Sequence, residues 1–409
     1  MSQAATKPTP RAFAPEVVLA VGCFVSLLLF GPRSAVGAFQ YDIVTDHNWS
    51  RDVFGFAIAL QNLMWGVGQP FAGAIADRYG APRVLALGSV GYALGLAWMA
   101  WAGTPTGFGF AGALVGLALS GASFNIVLGA FGKVLPPRMR SLALGLGTAA
   151  GSLGQFAFSP LAVGLIGSVG WRGALYVFAG MMLLAIPLAV FLRGGDVAAP
   201  AARPGDDRPA MRVLGDALRH RSYFLLALGF FTCGFQLAFI TAHFQIYLTD
   251  GGLSPGQGAF AFALVGLFNM FGSLASGWLG DVMPRRYILS FIYLARAAAT
   301  AVFLAVPIGP YSAYAFGAVS GLLWLSTVPP TSGLVSVMFG ARNLSLLYGF
   351  TFFSHQVGGF LGAWLGSLSY SLFGGYGPVW TLSIALGVAS ALINLPIVEA
   401  PVEPVPVPA

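Results

Sequence analysis

Charge is what this sequence has least of. Asp, Glu, Lys and Arg make up 8% of its 409 residues, against about a quarter in soluble domains. With 57% of the chain hydrophobic, that scarcity excludes an ordinary soluble domain. Cysteine is scarce too. Cys23 and Cys233 each sit inside an apolar run, which excludes a disulfide framework and gives no metal-ligand spacing. No run alternates apolar and polar residues as a barrel strand would. A nucleotide-binding loop, a metal cluster and a nucleophile–base arrangement are all missing. The chain therefore reads as no enzyme, with no cofactor and no metal. Carboxylates are scarcest where they matter most, since none lies in the middle of an apolar run.

What is present is apolar sequence in lengths near 20 residues, enough to span a hydrocarbon core. The runs fall at 16–42, 53–75, 84–103, 107–132, 141–167 and 173–192. They resume at 222–248, 257–280, 287–307, 311–338, 344–372 and 378–398. The expectation is an all-α polytopic membrane protein with twelve transmembrane helices in two six-helix halves. Residues 1–192 form the first half and 222–398 the second. Residues 193–221 form a polar cytoplasmic linker, and 399–409 a disordered, Pro-rich tail. Small residues near Ala35 to Ala38 could suggest a cleaved signal peptide, but the Pro-Arg inside the run argues for a retained first helix.

Lys and Arg placement orients the chain. With a cytoplasmic N-terminus, every basic residue lies on the cytoplasmic side except Arg33, Arg51, Arg172 and Arg296. That is the positive-inside bias. It accounts for the net charge of +7 without a nucleic-acid partner, and it places both termini in the cytoplasm.

The halves echo each other at an offset of 204 residues. Ser50 matches Ser254, where Ser-Pro-Gly-Gln forms a capping pattern with Pro at the first helical position. GAIAD ending at Asp77 matches GWLGD ending at Asp281, and RMRSLALG from Arg138 matches RNLSLLYG from Arg342. Duplicated halves are a signature of secondary transporters, whose substrate site lies between them near mid-membrane. GAIADRYGAPRVL, with Gly73, Asp77, Arg78, Gly80 and Arg83, resembles the loop motif of the major facilitator superfamily. GWLGDVMPRR, with Gly277, Asp281, Arg285 and Arg286, is its degenerate copy. The resemblance implies a cytoplasmic latch, in which the acidic residue caps a helix end and the arginines bind across the halves.

One residue then stands out. Arg33 lies in LLLFGPRSAVGAFQYDI with no acidic residue within eight positions. An arginine at helix centre costs about 2.5–3.5 kcal/mol on insertion scales and usually faces a wet cavity or a partner. Gln40 lies two turns further on, on the same face. Gln236 and His243 repeat this spacing in the second half. A substrate carboxylate would complement Arg33. Two structural roles compete: snorkelling to an interface, and binding carbonyls freed by Pro32.

The words FGPRSAVGAFQYDI resemble the first helix of the monocarboxylate transporters, with Arg33 in the place of that family's substrate-binding lysine. The stretch FNMFGSLASGWLGD offers Asn269 and Ser273 where that family has an Asp and an Arg. His355 and Gln356, in TFFSHQVGGFLGAWLG, take the region where the related oxalate–formate exchangers carry a lysine. A histidine there could supply a second charge or a coupled proton, or equally could bond between helices. Asn125, Gln61, Asn62, Gln155 and Trp324 could line the same cavity or simply pack. Arg296, in a helix that is peripheral in this superfamily, is expected to be structural or interfacial.

The function expected is a secondary transporter of a small organic anion, a monocarboxylate by resemblance, in a bacterial inner membrane. It would work as a monomer by alternating access, coupled to a proton or a counter-anion. The substrate contacts expected are Arg33, Gln40, Asn125, Gln236, His243, Trp324, His355 and Gln356. An exporter of drugs or of neutral or cationic metabolites is the alternative, and it would need a central carboxylate.

Overall fold

The computed structural model describes residues 13–193 and 210–402; most of the expected linker and residues 403–409 of the tail lie outside them. The first half opens with α1 (Pro15–Ser34), a 3-10 turn (Val36–Phe39) and α2 (Gln40–Asp46). It continues with α3 (Arg51–Tyr79), α4 (Ala81–Trp101), α5 (Pro105–Gly121), α6 (Phe124–Val134), α7 (Pro137–Leu183) and α8 (Ala185–Ala189). After the short α9 (Ala210–Arg219) come α10 (Arg221–Asp250), α11 (Pro255–Val282), α12 (Arg285–Ala305), α13 (Pro310–Leu323), α14 (Val328–Phe373) and α15 (Gly377–Asn394).

Nine helical stretches among the described residues are long and apolar enough to cross a membrane. Twelve spans are expected; α7 and α14 each run longer than one span, and α3 is not among the nine. α7 and α14 each break at one glycine, Gly170 at φ 73° and Gly340 at φ 75°, a left-handed backbone that glycine adopts at least cost. α3 is helical over 29 residues but carries Gln61, Asn62 and Gln69 in its middle. The surface is that of a protein in lipid, with Leu87, Phe71 and Trp101 among the large apolar side chains left exposed. Singly such residues mean little, but around a whole apolar bundle they form the lipid face.

Two buried cores result, one drawn almost wholly from residues 18–192 and the other mostly from residues 217–397. Glycine sets how closely the helices approach. A β-carbon at Gly112 or Gly116 of α5 would overlap the carbonyls of Ala57 or Gln61 on α3. Gly317 and Gly321 of α13 approach Ala261 and Val265 of α11 in the same way, and Gly358 and Gly362 of α14 meet Phe231 and Phe235 of α10. In a membrane, where apolar burial does not drive helices together, this spacing of small residues lets backbones pack.

The repeat is legible in the turns. The first turn lifts Asn48 to φ 52°, and its counterpart 204 residues on, Gly252, has φ 93°. Ser254 forms the expected capping box. Its hydroxyl accepts from the Gln257 amide at 3.3 Å, and Gln257 Oε1 accepts from the Ser254 amide at 2.9 Å. At the other end the tail begins in contact rather than free. The backbone N–H of Arg286 donates to Glu399 at 2.8 Å, and that of Val402 to the Met338 carbonyl at 2.8 Å.

The halves meet where α3 packs on α14 and α7 on α11. Ser159 donates to the Ala259 carbonyl at 3.1 Å, and Asn269 to Ser152 Oγ at 3.0 Å. At the end that the sequence places outside, Arg51 is bonded to Asp250 and Ser371 to Asp52.

Candidate substrate-binding site

Arg33 sits in the last turn of α1, one residue after Pro32. Its Nη2 donates to Asn62 Oδ1 at 3.3 Å, and Asn62 Nδ2 donates to the Ile58 carbonyl at 2.8 Å, which fixes the amide. The guanidinium lies 4.4 Å from the Trp65 ring centroid and 5.7 Å from that of Phe30. A desolvated cation–π contact contributes roughly 2 kcal/mol, and a hydrogen bond to a charged group about 1.5–3 kcal/mol. Together these offset an insertion cost of about 2.5–3.5 kcal/mol. The charge is therefore tolerable without an internal counter-ion. Among the described residues no carboxylate reaches it, and its Nε is buried without a hydrogen-bond partner. Neither competing structural role describes this geometry. The side chain stacks on a ring instead of reaching an interface, and its bond goes to an amide side chain instead of a freed carbonyl.

Trp65 carries the site across to the other half. Its Nε1 donates to Gln69 Oε1 at 2.9 Å, and its ring meets Phe352 edge-on at 5.3 Å. Phe352 stacks on His355 at 5.7 Å with 7° between the planes, and His355 lies 4.9 Å from Phe230. The order Arg33, Trp65, Phe352, His355 thus runs from one half to the other. Gln356, next to His355, is fully buried with its Nε2 unpartnered. Asn125 is half-buried at the start of α6, where the helix restarts after Gly121. Behind Arg33 a small pocket of about 10 Å³ is lined by Gln61, Tyr92, Leu96 and Phe178, room for about one water molecule.

The other expected contacts lie elsewhere. Gln40 and His243 do meet: Gln40 Oε1 is 3.2 Å from His243 Nδ1, and the Ala363 carbonyl is 2.8 Å from Nε2. They join the halves toward the outer end instead of facing Arg33. Gln236 turns into its own half, where Nε2 donates to the Ser383 carbonyl at 3.0 Å and Oε1 accepts from Arg296 at 3.4 Å. Trp324 is buried against Phe262. Arg296 donates from Nε to the Leu323 carbonyl at 2.9 Å and from Nη2 to the carbonyls of Leu323 and Trp324. It thus places a positive charge on the C-terminal end of α13, where the helix dipole favours one.

The loop motifs bond within their own halves in this conformation. Asp77 pairs with Lys133 at 2.5 Å, Arg83 donates to the Tyr79 carbonyl at 3.1 Å, and Arg78 lies over Tyr79. Arg286 donates to the Ile397 carbonyl at 3.0 Å, and Arg285 approaches Glu399 at 3.9 Å. A β-carbon at Gly73 would meet nothing within 4 Å. Asp281 is the last residue but one of α11. Among the described residues, none of these motif side chains bonds across the halves.

Trp65 and Phe352, whose rings lie against Arg33 and His355, are the side chains of this cluster that sequence reasoning does not single out. Trp65 lies three residues after Asn62, one turn along α3, so the polar pair Gln61-Asn62 was the signal that could have found it.

Comparison with known proteins gives the family. The model of the Major Facilitator Superfamily matches residues 22–363. The uncharacterized MFS-type transporter YcxA of Bacillus subtilis is 26% identical over 400 residues, covering 93% of this chain and 95% of that protein. Rat monocarboxylate transporter 13 is 26% identical over 96% of this chain and 91% of its own length. A gallate transporter of Pseudomonas putida is 27% identical over 67% of each. A crystal structure of a D-xylose-proton symporter superposes with a TM-score of 0.71 at 16% identity, over 94% of this chain and 98% of that one. Apolar helices long enough to span a bilayer, paired halves and this match over most of the chain agree: the protein is a multi-pass membrane transporter of the Major Facilitator Superfamily.

Proposed function

We propose that the protein is a secondary active transporter of a small organic anion, a monocarboxylate, and that Arg33 holds the carboxylate. The observation that carries this reading is a guanidinium held by Asn62 and Trp65 with Nε left free. A carboxylate could take Nε and one Nη in a bidentate bond, the geometry in which arginine recognises carboxylates best. Trp65 and Phe352 would form an apolar wall beside it. Gln356, whose buried amide nitrogen lacks a partner, would supply a further donor and His355 a second polar contact. The relatives named for monocarboxylates and for gallate, itself an aromatic monocarboxylate, support an anion of this class.

Substrate would reach the site by alternating access in a bacterial inner membrane, with both termini in the cytoplasm and the protein acting as a monomer. A proton or a counter-anion would couple the cycle. Uptake of labelled monocarboxylates, dicarboxylates and neutral solutes into proteoliposomes tests this, with and without an imposed pH gradient. Saturable uptake of a monocarboxylate is the expected result. Transport restricted to neutral or cationic solutes would overturn the reading.

A further inference from the structure

At the end of the molecule that the sequence places outside, the ion pairs differ between the two halves. Asp46 closes α2 in the first half. It pairs with Arg172 of the same half at 2.7 Å and accepts from Trp171 Nε1 at 3.3 Å. Its counterpart 204 residues on is Asp250, at the end of α10. The counterpart of Arg172 at the same offset is Tyr376, within matching words: GWRG from Gly170 and GGYG from Gly374. Gly170 and Gly374 share a positive φ, at 73° and 70°. The second half thus keeps the acid and has lost its arginine.

Asp250 takes its cation from the other half instead. Arg51 Nη1 and Nη2 donate to the two carboxylate oxygens at 2.6 and 2.9 Å, a bidentate pair, and Nη1 also donates to Tyr376 Oη at 3.0 Å. The guanidinium lies 3.7 Å from the Tyr370 ring centroid. Only 13% of the Arg51 side chain is exposed, so this pair is better shielded than an ordinary surface bridge, which contributes little. Arg51 begins the helix that carries Asn62 and Trp65, so its position bears directly on the site.

We propose that Arg51 and Asp250, with Tyr376 in the place of the missing arginine, are the positioning residues that latch the outer face closed. The proposal rests on the alternating-access reading above. Opening toward the outside would require this pair to part, while the loop motifs at the opposite end, bonded within their own halves here, would engage across them. The two ends of the molecule would then carry complementary latches. The inner one follows from a feature both halves share, and the outer one from a feature that only one half keeps.

Spin labels at Trp101 and Tyr311, both strongly exposed and each beside the end of a helix in a different half, would read the opening as a distance. The measurement uses the full chain in lipid nanodiscs, with Cys23 and Cys233 replaced, and requires no substrate. The parent should give one short-distance population. Asp250→Asn should add a longer one, and the exchange of charges in Arg51→Asp/Asp250→Arg should remove it again. Tyr376→Arg gives Asp250 the partner that Asp46 has, and should also lengthen the distance. Distances unchanged in Asp250→Asn and Tyr376→Arg would overturn the proposal, as would a charge exchange no better than either single change. Because distance and uptake are read separately, carboxylate uptake that persists with unchanged distances would sink the latch alone. A latch that responds in a protein that moves no carboxylate would sink only the substrate assignment.

Discussion

At the residue scale, the chemistry rests on placing a permanent charge where its cost is nearly met by neighbours and one nitrogen remains free. Lys at position 33 would keep the charge but lose the planar stack on Trp65 and the bidentate fork. Arg33→Lys is therefore expected to raise the half-saturation concentration for a carboxylate by roughly 10-fold, the equivalent of about 1.4 kcal/mol, with less effect on the maximal rate. Dose–response uptake curves separate the two. Arg33 was legible in the sequence because a charge without a counter-ion is conspicuous in an apolar run. Trp65 was not, because an aromatic among apolar residues carries no mark distinguishing a site wall from core. A second residue-scale expectation concerns the outer turn. His47 stacks on Trp49 at 4.1 Å, and its Nε2 lies 3.2 Å from Arg172. Burial and the Arg172 charge hold its pKa below the usual imidazole value of 6.5, with Asp46 opposing. A depressed pKa means the folded state favours the neutral ring. The contribution to stability is present above pH 6.5 and is lost as pH falls through the lowered folded value. His47→Gln should flatten that acid-side loss, measured as melting temperature between pH 7.5 and 5; an unchanged slope would show that His47 contributes nothing to it.

At the scale of helices, hydropathy located the spans but not the details of their ends. The expected gaps at 168–172 and 339–343 are each a single glycine break in a continuous run of helix, which hydropathy alone does not distinguish from a short loop. Repeat symmetry also misled in one instance. It placed Gln236 on the face equivalent to that of Arg33, but Arg296, 60 residues further on, draws the amide into the second half. Such capture depends on how α10 and α12 are assembled, each packed against α15, which no local period records. Arg296 itself closes the break between α13 and α14, two elements that would otherwise leave carbonyls unpartnered in the bundle. Arg296→Met is expected to destabilise the protein by about 2–3 kcal/mol, the value of charged hydrogen bonds lost in the interior, while leaving substrate half-saturation close to that of the parent. Thermal unfolding in detergent and uptake kinetics check the two parts. A large change in half-saturation with unaltered stability would place Arg296 in the site instead.

At the scale of the whole molecule, this conformation joins the halves at the outer end and leaves the motif loops bonded within each half. Gly129 of α6 is exposed, with nothing within 4 Å of an added β-carbon, and it lies one turn beyond Asn125. Cysteine introduced there should react with a membrane-impermeant maleimide applied from the cytoplasmic side of oriented vesicles, and not from the other side. Reaction from the outer side alone would reverse the orientation drawn from the positive-inside bias. The duplicated halves were legible from the sequence because the repeated words fall at helix ends, where capping and charge restrict the choice of residue. The pairing of Arg51 with Asp250 was not, because two charges 199 positions apart announce no contact until the halves are assembled.

The most direct test of the central claim is the initial rate of labelled monocarboxylate uptake into proteoliposomes, wild type against Arg33→Gln, with equal amounts of folded protein. Glutamine keeps a polar side chain but removes the charge and the fork. Losing one charged, bidentate contact, about 1.5–3 kcal/mol, should lower uptake at subsaturating substrate by roughly 10- to 150-fold. Uptake unchanged by the substitution would contradict the account and leave Arg33 a structural cation held by Asn62 and Trp65.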